Sequence, residues 1–136
     1  MKKNGGFTLI EVMVVVVILA ILAAIIVPRI LSRPEQARII AARQDIASIQ
    51  NALSLYKLDN GFYPTTSQGL QALVTKPSTP PVPQNWNGYL KKIPLDPWQQ
   101  PYHYAHPGQH GDVDIWSDGP PDSSQKQTIG DWQGNQ

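Results

Sequence analysis

Gly5-Gly6-Phe7-Thr8-Leu9-Ile10-Glu11 opens an apolar run that continues to Val27, and Glu11 is the only ionisable side chain between Phe7 and Val27. About 21 residues at about 1.5 Å of helical rise each span about 30 Å, the thickness of a bilayer core, so the run reads as a membrane helix by length. A carboxylate inside such a run costs on the order of 2.5 to 3.5 kcal/mol on insertion scales, and a plain anchor has no reason to carry one. Glu11 therefore asks for a positive partner at its own depth. Cleavage between Gly6 and Phe7 would create one, because the new α-amine would sit about one helical turn from Glu11, where the backbone dipole also favours a carboxylate. Within one chain the amine and the side chain of its fifth residue are awkwardly placed to pair. A neighbouring chain shifted along the axis could offer its amine without strain, which makes Glu11 an assembly residue.

Lys2-Lys3-Asn4-Gly5-Gly6 followed by Phe7-Thr8-Leu9-Ile10-Glu11 resembles the type IV prepilin leader shared by type IV pilins, pseudopilins and competence pilins. The resemblance implies a leader of residues 1–6, cleaved after Gly6 by a membrane prepilin peptidase on the cytoplasmic side. It also implies N-methylation of Phe7 and a Glu11 that registers each incoming subunit in a helical filament. A secretory signal peptide has a shorter apolar region, about 7 to 15 residues, ending at small residues of the A-x-A type. A simple anchor leaves Gly6-Phe7 and Glu11 unexplained.

Composition bounds the remainder. The chain has 136 residues and no cysteine, so disulfides, thiolate metal sites and cysteine nucleophiles are excluded. Removing the membrane segment leaves about 108 residues, enough for one small globular domain. The formal net charge of the whole chain is +1. Loss of Lys2 and Lys3 takes the mature chain to about −1, which argues against nucleic acid as a main partner. Before cleavage these lysines favour a cytoplasmic N-terminus, a signal that Arg29 and Arg33 beyond the other end weaken.

Beyond Val27 the helix is expected to continue, bending or locally opening at Pro28 and more mildly at Pro34. Ile39, Ala42, Ile46, Ile49, Leu53 and Tyr56 then recur at spacings of three and four, while Arg38, Arg43, Asp45, Gln50, Asn51 and Lys57 fall off that stripe. This is an amphipathic second half of one long helix, its stripe packing on a domain core. From Phe7 to Leu58 it would measure about 80 Å, more than a small domain can cover, so the first half is expected to project. Asp59-Asn60-Gly61 ends it and Tyr63-Pro64 prevents its resumption. Residues 68–74 read as a brief helix, residues 76–87 as a proline-rich loop, and Ile93-Pro94-Leu95-Asp96-Pro97-Trp98 as a rigid turn with an aromatic to bury. Tyr102-His103-Tyr104 and Val113-Asp114-Ile115-Trp116 read as strands, with residues 107–111 as the hairpin turn. The tail from Asp118 is polar and turn-forming, with Ile129 and Trp132 as its anchors.

Residues 56–66, 68–74 and 88–98 look like the corresponding stretches of the major pseudopilin family of the type II secretion system, and the likeness runs from the leader to Trp132. It implies an α+β, type IV pilin-like fold: one long N-terminal helix, membrane half plus amphipathic half, packed on a small antiparallel sheet with a loop-rich C-terminal region. Residues 7–27 would form the transmembrane and filament-core helix, and residues 28–136 a periplasmic domain on a single-pass inner-membrane anchor. The implied role is a structural subunit of a periplasmic pseudopilus, a homo-oligomeric helical filament driven by a cytoplasmic ATPase and coupled to export of folded proteins across the outer membrane. Implied partners are the prepilin peptidase, minor pseudopilins and an inner-membrane assembly platform. The alternative within this architecture is the major pilin of a type IV or competence pilus, many of which staple a C-terminal loop with a disulfide that this chain cannot form.

A periplasmic enzyme on an anchor is the reading from a different class. His103, His106 and His110 are spaced such that two could share a metal, yet no acid-histidine, Gly-x-Ser-x-Gly or phosphate-loop motif accompanies them, and a surface or packing role is the expectation. The family resemblance also implies a calcium loop after the final strand. Its frame is kept as Ser117-Asp118-Gly119 and Ile129-Gly130-Asp131-Trp132, but the acids between are largely missing. The expected donors are the Asp118 carbonyl, the Asp122 carboxylate and oxygens of Ser124 and Gln127. One carboxylate implies weak affinity, about 10⁻⁴ to 10⁻³ M, and the competing expectation is a polar tail closed by Ile129 and Trp132 alone.

Overall fold

The structure, a computed structural model, describes residues 6–121 and 127–133, and within the first range the side chains of residues 26–33 lie outside the description. Helix α1 spans Leu9–Asn60. Pro28 and Pro34 both fall inside these bounds, so the opening expected there is not a break in the helix. Two compact units divide the chain, Met1–Ala37 and Arg38–Gln136.

In the first unit the described apolar side chains from Phe7 to Ile25 are exposed. Among the described residues no helix is long and apolar enough to cross a membrane. The described part of the run stops at Ile25; residues 26 and 27, which the sequence reading includes in it, lie outside the described side chains.

The second unit is built on the stripe of α1. Ala42, Ile46, Ile49, Leu53 and Tyr56 are buried as the spacing requires, joined by Ala52, with Ile39 packed at the edge. Each large apolar side chain removed from water there contributes roughly 1.5 to 3 kcal/mol. Gly61 ends the helix: its φ of 86° allows its N–H to donate back to the Lys57 carbonyl at 2.7 Å. The segment after it is sewn to the helix end by polar groups. Asn60 Nδ2 donates to the Tyr56 carbonyl and to Tyr89 Oη, while Asn60 Oδ1 accepts from the Asn85 amide at 2.8 Å.

The brief helix expected over residues 68–74 is a single 3-10 turn, η1, Leu70–Leu73. Gly69, at φ 66°, sets its entry, and the bonds Ala72 N–H to Gly69 O and Val74 N–H to Gln71 O are the i to i+3 kind. Leu70, Ala72 and Leu73 are buried, and Trp86 Nε1 donates to the Ala72 carbonyl at 2.8 Å.

Among the described residues three strands follow in the order β1-β2-β3, all antiparallel. Strand β1 is His103–Ala105 and β2 is Asp114–Ser117, each one residue later than the sequence suggests. The shift brings His103 opposite Trp116 and Ala105 opposite Asp114. Strand β3, Ile129–Gly130, was not expected: the tail joins the sheet, pairing Trp116 with Gly130 and Ser117 with Ile129. Tyr104, Ile115 and Ile129 enter the same core as the α1 stripe. Two polar ties reinforce this, Tyr102 Oη donating to Asp45 at 2.7 Å and Gln50 Nε2 donating to Asp131 at 3.0 Å.

The turn at Ile93–Trp98 packs its aromatic against the core in part, and it buries an acid as well. Leu95 is exposed, Trp98 is partly buried, and Asp96 is the buried residue, 1% exposed. Its carboxylate accepts from the Trp98 and Gln100 amides at 3.0 and 2.7 Å and from Ser117 Oγ at 2.7 Å. A buried carboxylate persists only when so satisfied, and here it ties the turn to the end of β2.

Gly130 lets the tail close. A methyl group there would meet the Trp132 ring at 2.5–2.6 Å, and an indole packed against its neighbours yields poorly. Gly130→Ala is expected to lower stability by about 1 to 3 kcal/mol through overpacking. Urea unfolding of the full chain in detergent measures this, and an unchanged midpoint would show that Trp132 is free to move aside.

Candidate functional site

The first cluster singled out by sequence lies at the start of α1. Thr8 precedes the first helical residue, and the Glu11 amide donates to Thr8 Oγ1 while the Thr8 amide donates to Glu11 Oε2, both at 3.3 Å. This is a reciprocal capping box, Thr-x-x-Glu, which satisfies two of the amides a helix N-terminus leaves without partners. Glu11 therefore has a partner within its own chain. Sequence reasoning took the carboxylate as waiting for an amine and passed over Thr8, although the spacing of the two residues carries the signal.

Gly6 has open space where a side chain would stand. Its lack of a side chain is thus not demanded by packing. Phe7 is 87% exposed, and it shares one helix face with Ile10, Glu11, Val14 and Val15. That face presents an apolar surface with a single carboxylate near its N-terminal end.

The second cluster is the C-terminal loop. Of the expected calcium donors, Asp122 and Ser124 lie outside the described residues. Asp118 is exposed, and its carboxylate Oδ2 lies 2.7 Å from His103 Nε2. Gln127 is brought to the base of the loop: a side chain on Gly119, whose φ is 77°, would collide with the Gln127 carbonyl. Ser117 Oγ fixes that base, accepting from the Gly119 amide at 3.1 Å and donating to the buried Asp96. Among the described residues no group of three or more His, Asp or Glu is placed to hold a metal. The contact with His103 engages the Asp118 carboxylate and not its carbonyl, which is the donor expected there.

Each histidine has a separate partner. His103 stacks on Trp116, with ring centroids 5.3 Å apart, and meets Asp118. His106 places Nδ1 2.9 Å from the Asp112 carbonyl and meets the Tyr63 ring edge-on. His110 places Nδ1 2.9 Å from Asp114 Oδ2 and stacks flat on Trp132, with centroids 3.9 Å apart and planes inclined by 9°. Because a carboxylate only accepts, Nδ1 of His110 carries the proton. Asp114 is 3% exposed. Burial pushes its carboxyl up, but the His110 ring and the Gln109 and His110 amides outweigh that and hold it below the ordinary aspartate range.

Similarity to known proteins bears on both clusters. Residues 1–27 match the family model "Prokaryotic N-terminal methylation motif", and residues 29–132 match "Type II secretion system (T2SS), protein G". The chain is 54% identical over 137 aligned positions to the type II secretion system core protein G of Pseudomonas aeruginosa, covering 96% of each. It is 54% identical over 119 positions to that of Vibrio cholerae, covering 86% of this chain and 81% of the other. Its fold resembles the crystal structure of the major pseudopilin from the type 2 secretion system of enterohaemorrhagic Escherichia coli, with a TM-score of 0.67 and 40% identity over 74% of this chain and 87% of that one.

Proposed function

The chain belongs to the protein G family of the type II secretion system, and from that premise we propose that it polymerises through the exposed N-terminal face of α1, with Glu11 setting the register between subunits. The membership makes it a structural subunit of the pseudopilus rather than an enzyme. The methylation motif marks it as a prepilin peptidase substrate. The observation that carries the assembly reading is the capped carboxylate within an otherwise apolar, exposed face.

Cleavage falls between Gly6 and Phe7 and methylation on the new Phe7 amine. The open surroundings of Gly6 support this, because a glycine not required by its own packing suits a chain that must lie flat in a protease groove. The first half of α1 sits in the inner membrane as a single pass, N-terminus cytoplasmic, with residues 28–136 periplasmic. The apolar run and the basic leader support that topology. In the filament the Phe7 amine of one subunit meets Glu11 of another, and minor pseudopilins and the inner-membrane platform start and drive the addition. That amine must displace the Thr8 cap, a contact worth about 0.5 to 2 kcal/mol, so the charged pair has a defined competitor.

The tail closes by protein contacts rather than around calcium. Supporting this are the contact of Gly119 with Gln127, the pairing of β3, and the donation from the Asp131 amide to the Ile115 carbonyl at 3.0 Å.

Three measurements test this reading. Gly6→Leu should leave an uncleaved precursor, and a mass spectrum showing a normal mature N-terminus at Phe7 would remove the leader assignment. Glu11→Ala should insert into membranes at least as well as the parent, since it removes a burial cost of about 2.5 to 3.5 kcal/mol, while filaments and secretion are lost. Wild-type filament yield from that variant would refute the register role. Calcium at about 10 mM, above the weak range, should leave the melting temperature of the full chain unchanged. A rise that Asp122→Ala abolishes would assign the loop to an ion instead.

A further inference from the structure

The hairpin between β1 and β2 folds over a cavity of about 300 Å³ lined in part by Gln50, Tyr63, His110, Asp112, Asp114 and Asp131. Three aspartates line the same cavity as His110: Asp112 and Asp114 from its own hairpin and Asp131 from the segment after β3. Helix α1 and the turn after it contribute the uncharged Gln50 and Tyr63, and the lining contains no lysine or arginine. Asp131 Oδ2 accepts from Gln50, but Oδ1 is buried without a hydrogen-bond partner. Trp132, adjacent to Asp131, lies flat on the His110 ring and meets Trp116 at 6.2 Å. His110 is thus in contact with both the hairpin and the C-terminal segment, and its side chain is 44% exposed, open to protons from solvent.

We propose that His110 is a proton-operated latch: taking up a proton tightens the stack on Trp132 and holds residues 129–133 against β2, and releasing it loosens them. A neutral imidazole already donates one hydrogen bond to Asp114. Protonation adds a full positive charge beside the Asp114 carboxylate, in a cavity that Asp112 and Asp131 also line, and over an indole face, the aromatic surface that attracts cations best. Imidazole changes charge between about pH 5 and pH 8, and Asp114, held below the ordinary carboxyl range, stays ionised throughout that window. The sign follows: the added hold is present at the acid end of that window and is lost toward its alkaline end.

Hydrogen exchange at the Asp131 amide, which donates to Ile115, reads the latch directly. In the full chain in detergent, protection corrected for the intrinsic pH dependence of exchange should be about fivefold greater near pH 5.5 than near pH 8. His110→Phe keeps a ring on Trp132 but no proton, and should abolish that difference. His110→Gln, which keeps an N–H donor for Asp114, should abolish it too and serves if the phenylalanine variant does not fold. His103→Phe should retain it. Equal protection at the two pH values in the parent, or a pH difference that survives either His110 substitution, would overturn the proposal, as would its loss in His103→Phe alone.

Discussion

The structure of the second unit depends on one constraint, that the stripe Ala42-Ile46-Ile49-Leu53-Tyr56 must be removed from water, and few strand residues are available to cover it. A sheet of two- to four-residue strands cannot present a continuous apolar face. Loops therefore do much of the covering, and they do so with side chains that are apolar along their length and polar at the tip. Tyr102, Tyr104 and Trp86 bury their rings against or beside the stripe, and their tips reach Asp45, the Pro64 carbonyl and the Ala72 carbonyl. Each bond prevents the desolvation cost of a buried hydroxyl or indole N–H while fixing a loop in place. This makes a core from segments whose composition reads as irregular.

At the other end of α1 the constraint is reversed, because a polar group must exist where apolar surface dominates. A carboxylate in that setting is tolerable only with a donor beside it. In the isolated subunit the donor is the Thr8 amide, and in the proposed filament it is an α-amine from another chain. The two arrangements draw on the same carboxylate, so assembly becomes an exchange of partners rather than the first satisfaction of an unpaired charge. An exchange is reversible and selective, since a neighbour out of register offers nothing better than the cap.

The long helix, the stripe and the leader were legible because they rest on periodicity and on a compact motif. Strand β3 was not. Two residues carry no alternation, and Ile129-Gly130 acquires its strand geometry from Trp116 and Ser117, distant in sequence. Asp114 is legible as a strand residue, but its burial is not, because it depends on the hairpin amides and His110 that surround its carboxylate. The burial of Asp96 is equally invisible from its neighbours in sequence. Its partner Ser117 Oγ lies 21 residues on. Thr8 is a different kind of miss, since its spacing from Glu11 is local and visible. The cost of burying Glu11 drew attention to a distant amine and away from the donor three residues earlier.

The glycines separate what the fold requires from what lies outside it. Gly61 and Gly119 adopt positive φ, where a Cβ is strained, and Gly130 carries the Trp132 ring where a methyl group would stand. Each is explained by its own surroundings. Gly6 has neither constraint among the described residues: nothing lies within 4 Å of where a Cβ would stand, and its backbone is not left-handed. Local structure would accept alanine there at no steric cost and with less conformational entropy to lose. Under the proposed cleavage, the demand for glycine at this position comes from the peptidase that meets the Gly6-Phe7 junction and not from the packing of the described residues.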